Sequence, residues 1–256
     1  SAGGALSVIP ADTANFQIDM EKFAQAINEK TKAVIINSPN NPSGAVYSLE
    51  TIRKMCMIME ERSNLYGHPI YLISDERYRE LVYGDVEVPF LLSHYDNTFV
   101  CYSYSKSHSL PGERIGYVLV SNRMKDGEDV YAAVCGAGRA LGYVCAPSLF
   151  QHLIARCIGR TADISIYKKN RDILYSGLTG MGYECAKPDG AFYLFVKALE
   201  PDAEAFCDRA KKHELLLVPG DGFGCPGYVR ISYCVRTDQI EASLPAFEKL
   251  AEEYKK

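Results

Sequence analysis

Three short apolar runs, residues 33–37, 70–74 and 98–104, constrain this chain more than any other feature of it. Ala33-Val34-Ile35-Ile36 is β-branched and shows no polar alternation, the pattern of a parallel strand buried on both faces. Strands of that kind expect helices on either side. The intervening stretches have helical spacing. Ile18, Phe23, Ala24 and Ile27 share one face of a helix over 18–30. Ser48 is placed to cap a second helix that lines up Ile52, Met55, Cys56 and Met59. Beyond the third run, residues 115–121 read as another strand. Helices follow over 128–140, over 147–159 with Pro147 in its first turn, and over 162–180 with Lys168, Lys169 and Arg171 on a solvated face.

From Gly182 the pattern changes. Short strands at 183–186, 191–197, 215–218 and 228–234 alternate with helices at 202–213 and 237–254, a mixed α+β arrangement. The sequence therefore predicts an α/β large domain with a mostly parallel sheet over residues 1–165, and a smaller α+β domain over 166–256. The last helix carries Ile240, Leu244, Phe247, Leu250, Ala251 and Tyr254 at helical spacing.

Each apolar run ends in residues that could carry chemistry. The first closes in Ser38-Pro39-Asn40-Asn41-Pro42-Ser43-Gly44, a rigid turn that would redirect the chain or present an asparagine amide. The second closes in Asp75-Glu76-Arg77-Tyr78, where Asp75 reads either as a turn cap or as a site carboxylate. The third runs into Ser103-Tyr104-Ser105-Lys106, with Arg114 eight residues beyond the lysine. A lysine beside a core strand is solvated, paired, or used as an amine nucleophile. Ser103, Ser105 and Arg114 offer the hydroxyl and guanidinium donors that suit phosphate oxygens.

Composition narrows the rest. With 256 residues, 47% of them hydrophobic, the chain can bury a sizeable core. A net charge of -4 leaves no basic face for nucleic acid, and no apolar run is long enough for a membrane, so a cytoplasmic protein is expected. Nine cysteines lie scattered without a C-x-x-C pair, mostly in apolar runs, and read as reduced core residues. The five histidines show no metal-ligand spacing, so no metal site is assigned. Ser1-Ala2-Gly3-Gly4 is neither an initiator methionine nor a signal peptide, and residues 6–10 have the pattern of a short strand.

Taken together, Asn41 in its Pro-Asn-Asn-Pro turn, Asp75 and Tyr78, Lys106 and Arg114, and Arg230 in Tyr-Val-Arg-Ile-Ser resemble the class I/II aminotransferases. These are fold type I enzymes that use pyridoxal phosphate. The resemblance continues through Pro188-Asp189-Gly190-Ala191-Phe192-Tyr193 to the closing helix. It implies a three-layer α/β/α large domain and amino transfer between an amino acid and a 2-oxo acid. Lys106 would form the Schiff base and carry the proton, and Asp75 would pair with the pyridinium nitrogen so that the ring accepts electrons. Tyr78 and Asn41 would bond the ring oxygen, while Ser103, Ser105 and Arg114 would hold the phosphate. Arg230 would grip the substrate α-carboxylate, with Asn41 also binding substrate, and the full-length protein would be a homodimer.

In the family a long stretch precedes the point matching Ser1, with a glycine-rich phosphate loop and an aromatic ring that stacks on the cofactor. The resemblance thus implies a C-terminal portion that, alone, binds pyridoxal phosphate weakly. Other readings stay open at this point: a C-S β-lyase or another fold type I enzyme, or the aminotransferase-like sensor domain of a transcription regulator.

Overall fold

In a computed structural model, which describes residues 3–255, the three apolar runs lie side by side. Ser1, Ala2 and Lys256, and with them half of the reading of the first four residues, lie outside the described residues. Helix α1 (Met20–Ala26) leads into β1 (Ala33–Asn37) and α2 (Leu49–Tyr66) into β2 (Tyr71–Asp75). A loop with a single 3-10 turn at Leu91–Ser93 then leads into β3 (Thr98–Ser103). β1 pairs with β2, and β2 with β3, both parallel, in a register that sets Asn37 beside Asp75 and Asp75 beside Cys101. The C-terminal ends of the three strands form one level edge, where open α/β sheets bind ligands. After α3 (Tyr104–Ser107), the chain returns as β4 (Gly116–Val120), antiparallel to β3.

Local chemistry accounts for the crossover helices. Ser48 Oγ accepts from the Thr51 amide (3.0 Å), and α2 stops at Gly67, whose φ of 71° is the left-handed conformation glycine adopts without strain. Its buried face is Ile52, Met55, Cys56 and Met59, as the spacing predicts, packed with Phe23, Ile36 and Leu72. Burying each such side chain is worth roughly 1.5–3 kcal/mol. The first helix is shorter than the predicted 18–30. The Asp19 carboxylate accepts from the amides of Glu21 and Lys22 and so starts it at Met20, and Ile27 is already extended.

The second half begins with α4 (Gly127–Ala140), α5 (Ser148–Cys157) and α6 (Ser165–Gly180). It continues through β5 (Tyr193–Lys197), α7 (Ala203–Lys211), β6 (Val218–Pro219), β7 (Tyr228–Ser232) and α8 (Thr237–Glu252). β5, β7 and β6 form a small antiparallel sheet in that order. Its core joins Leu174 and Leu178 of α6, Leu194 and Val196 of β5, and Phe247 and Leu250 of α8, and it also takes in Tyr78, Leu81 and Tyr83 from beyond β2.

Several expectations are corrected. β1 is not buried on both faces: α1 and α2 cover the side of Ile36, whereas Ile35 is 65% exposed. Residues 6–10 form no strand, and a cavity of about 420 Å³ lies between Leu6–Ala11 and β1. The expected strand at 183–186 is reduced to one bridge, Cys185 to Val196, and that at 215–218 begins only at Val218. Arg171 is not solvated. It is 7% exposed, its Nη1 donates to the Pro188 carbonyl (3.0 Å), and its guanidinium lies over the Tyr83 ring. Of the cysteines, only Cys56, Cys207 and Cys225 are buried, while Cys135, Cys145 and Cys234 are exposed. Burial pushes the thiols of Cys56, Cys185 and Cys207 up to about 11. Among the described residues no helix is long and apolar enough to cross a membrane, and no cluster of His, Cys, Asp and Glu could hold a metal ion.

Candidate active site

The level edge of β1, β2 and β3 places the first side chains. Asn37 Nδ2 donates to the Asp75 carbonyl (2.9 Å), and Asn37 Oδ1 accepts from the Asn41 amide (2.7 Å), so the Pro-Asn-Asn-Pro turn is pinned to the end of β2. Both X-Pro bonds of that turn, Ser38–Pro39 and Asn41–Pro42, are cis. The turn is also fastened to the 188–191 loop, because the Gly44 carbonyl accepts from the amides of Asp189 (3.0 Å) and Gly190 (2.9 Å). A Cβ on Gly44 would stand 2.3 Å from Pro188 Cβ, a contact only glycine permits.

That junction brings the small sheet onto the edge of the large one. A continuous run of contacts follows, starting at Lys106, whose Nζ lies over the Phe192 ring, 5.1 Å from its centroid. Phe192 meets the Tyr78 ring edge-on at 5.6 Å. The Tyr78 and Tyr193 hydroxyls are 3.1 Å apart, and the Arg230 guanidinium stacks 4.6 Å above the Tyr193 ring. Arg230 Nη1 donates to Asn41 Oδ1 (2.9 Å), while its Nε is buried without a partner. Lys106, Tyr78, Arg230 and Asn41 therefore share one site, although they come from positions as far apart as 41 and 230 in the chain.

Electrostatics set the state of this wall. Tyr78 is buried, and burial first, then its bond to Tyr193, pushes the phenol far above its ordinary range, so its hydroxyl is held as a proton donor. Asp75 is not a turn cap. Its two oxygens accept from Arg77 Nε (2.9 Å) and Nη2 (2.5 Å), and that fork raises the Arg77 pKa. Glu76 points the other way, into the core, where it accepts from Ser74 Oγ and Arg79 Nη1, both at 2.9 Å. Burial raises its pKa.

The serines stay together: Ser103 Oγ donates to Ser105 Oγ (2.8 Å) and accepts from the Ser105 amide (3.2 Å), which caps α3. Arg114 stands apart from them in its contacts. It is exposed, its Nη1 donates to the Pro111 carbonyl (2.9 Å), and its φ of 52° is unusual for a side-chain-bearing residue. Sequence reasoning missed Phe192, Tyr193, Phe223 and Arg77. Phe223 lies 4.9 Å from the Arg230 guanidinium. The only signal for the first two was an aromatic pair straight after Asp189-Gly190-Ala191.

A mostly parallel sheet with a lysine, a carboxylate and a tyrosine at its C-terminal edge, closed by an arginine from a small antiparallel sheet, defines the aspartate aminotransferase fold. A solved aminotransferase from Eubacterium rectale superposes with a TM-score of 0.94 at 62% identity, covering 96% of this chain and 62% of that one. The aspartate aminotransferase structure from Thermotoga maritima gives 0.86 at 32% identity, covering 98% and 65%. The family profile for aminotransferase class I and II matches residues 1–247, and the chain belongs to that family. Among curated relatives, the aspartate aminotransferase of Thermotoga maritima is 31% identical over 96% of this chain, which spans 63% of that protein's length. A probable aspartate aminotransferase of Methanocaldococcus jannaschii is 32% identical, with 98% and 66% covered.

Proposed function

We propose that the chain works as a pyridoxal-phosphate-dependent aminotransferase, moving an amino group between an amino acid and a 2-oxo acid. The observation that carries this is the contact run from Lys106 through Phe192, Tyr78 and Tyr193 to Arg230 and Asn41. It sets an amine, a phenol donor and a carboxylate-binding fork along one wall. The Arg230 Nε, a buried donor with no partner, is the kind of group a bound carboxylate would satisfy, since an unmade buried hydrogen bond costs about 1–3 kcal/mol.

The residues fit the cofactor. Lys106 is the amine to bond it and the base to carry a proton, and Asp75 is the carboxylate to pair with its ring nitrogen once the Arg77 fork is exchanged. Tyr78 and Asn41 offer groups for its ring oxygen, and Ser103, Ser105 and Arg114 offer donors for its phosphate. When bound, the group supplies an electron-accepting ring. Arg230 orients the substrate by its α-carboxylate, and Phe192 and the buried Tyr78 keep water from that side of Lys106.

In this reading residues 1–165 belong to a three-layer large domain and 166–256 to a small one, and the whole protein pairs as a homodimer. Incubation with pyridoxal phosphate, borohydride reduction and peptide mapping test it. In the full-length protein the expected label is on Lys106, with amino transfer to a 2-oxo acid; label on another lysine overturns the assignment.

A further inference from the structure

The carboxylate that the proposed reaction reserves for the ring nitrogen already has a cation on it. Arg77 Nε donates to Asp75 Oδ1 (2.9 Å) and Arg77 Nη2 to Asp75 Oδ2 (2.5 Å), so one guanidinium spans both oxygens. The chain fixes where this pair stands. β2 ends at Asp75, and Arg77 opens the turn at 77–80. Its neighbours are both buried and both anchored: Glu76 is held by Ser74 and Arg79, and Tyr78 packs edge-on against Phe192 and Tyr193. The backbone at Arg77 is thus pinned on either side, and the guanidinium leaves Asp75 only by turning about its own side-chain bonds.

Such a turn is open to it. The Arg77 side chain is 47% exposed against 23% for Asp75, so the guanidinium can move into water while the carboxylate stays. The cation also lies toward the site. The bond to Asp75 first, and then the nearby Tyr78 and Tyr193 phenols, raise its pKa, and both phenols belong to the wall that runs from Lys106 to Arg230. A fork and a protonated ring nitrogen are rivals for one carboxylate. The guanidinium takes one lone pair from each oxygen, and a ring N–H bonded to either remaining lone pair would stand beside it, cation against cation.

We propose that Arg77 is a placeholder on Asp75, competing with the ring nitrogen of pyridoxal phosphate and turning out to solvent when that nitrogen binds. The proposal rests on the cofactor reading given above. Arg77 acts through Asp75 and is therefore a positioning residue. A purely structural ion pair would weaken cofactor binding when cut, because the loop bearing Asp75 and Tyr78 would loosen. Cutting a placeholder does the reverse, and it does so only for a ligand that needs Asp75.

The test titrates full-length parent and Arg77→Met, which keeps the bulk and drops the donors, with two probes. One is pyridoxal phosphate, the other its analogue with carbon in place of the ring nitrogen. Losing a cation weakens the attraction for both phosphates alike, and the analogue has no nitrogen to compete, so the ratio of the two affinities isolates Asp75. The expected ratio moves about two- to fivefold in favour of pyridoxal phosphate, the worth of a part-exposed ion pair, with Arg77→Lys in between. Nitrogen-15 NMR of the arginine side chains reads the contact itself. An Arg77 Nε–H signal, assigned by its loss from either variant, should exchange slowly in the cofactor-free parent, persist with the analogue and vanish with pyridoxal phosphate. An unmoved signal from the buried Arg171 shows that the variants are folded. A ratio that is unchanged or moves toward the analogue, or an Arg77 signal that persists with pyridoxal phosphate, overturns the placeholder and leaves the cofactor reading standing. Failure of both probes to bind the parent overturns that reading, and the placeholder with it.

Discussion

β4 and β5 are strands of equal length and similar sequence, Gly-Tyr-Val-Leu-Val and Tyr-Leu-Phe-Val-Lys, and the structure treats them oppositely. In β5, Leu194, Phe195 and Val196 are at most 2% exposed, whereas in β4 Tyr117, Val118 and Leu119 are 45%, 46% and 37% exposed. The difference lies in the cover. β5 sits in a core with α6, α7 and α8, but α4, which follows β4, buries none of its residues, Tyr131 within it is exposed, and Leu141, Tyr143 and Val144 stay exposed beyond it. An apolar strand is thus only a candidate for burial, and what packs on it decides the energy it contributes. The chain spans about two thirds of the length of its relatives, and the two regions show where it carries its own cover and where it does not.

The site lies where the covered region meets the edge of the sheet, so the largest expected effect is there. Lys106→Ala is expected to abolish borohydride-fixed label and to lower amino transfer by roughly 10²–10⁴-fold or more, the share a positioned acid-base group supplies. Mass mapping and a coupled assay check it. An unchanged rate would detach function from this meeting of the two regions.

Stability comes next. Leu194→Ala is expected to cost about 2–5 kcal/mol, since its side chain is wholly buried, while Ile35→Ala on the uncovered face of β1 should stay within about 0.5 kcal/mol. Urea unfolding of both variants measures the contrast directly. Equal losses would mean that the open face of the large sheet is covered in solution.

Arg171 joins the regions, because it binds the Pro188 carbonyl and Asp172 while stacking on Tyr83. Arg171→Met keeps the bulk and removes the donors, which should cost roughly 1–3 kcal/mol through the acceptors left unpaired. Lys169→Met, exposed one turn-face away, should be silent. If both behave alike in thermal melts, the guanidinium does not fasten the loop.

Local features were legible in the residues, and distant ones were not. The α2 face and its Ser48 cap follow from spacing over a few residues, and the strand-end placement of Asp75 and Lys106 follows from where apolar runs stop. Arg171 was misread because charge alone suggested a wet surface. Its long side chain can bury its stem, bond each guanidinium nitrogen to a carbonyl or a carboxylate, and lie over a ring. Tyr193 reaches Tyr78 across 115 residues and Arg230 reaches Asn41 across 189, distances at which periodicity carries no information. Only the resemblance could join Arg230 to Asn41, and the aromatic pair after Ala191 gave Tyr193 no partner.

The smallest expected effect tests whether the two regions are one unit. Ser48 caps α2 over the core of the large sheet, and Asp202 caps α7 over the core of the small one, accepting from the amides of Glu204 and Ala205 at 3.0 Å. Replacing either by alanine removes one cap and should cost about 1 kcal/mol, so the two variants are matched in size and differ only in place. Tyr78, Leu81 and Tyr83 carry the chain after β2 into the small sheet's core, and the amide of Ala191 donates back to the Leu81 carbonyl (2.8 Å). With that much shared packing, both substitutions should lower one common melting transition by a similar amount. Calorimetry reads this directly. Two transitions, each moved by only one of the variants, would show that the covered region folds without the open one and that the contacts between them are too weak to couple their unfolding.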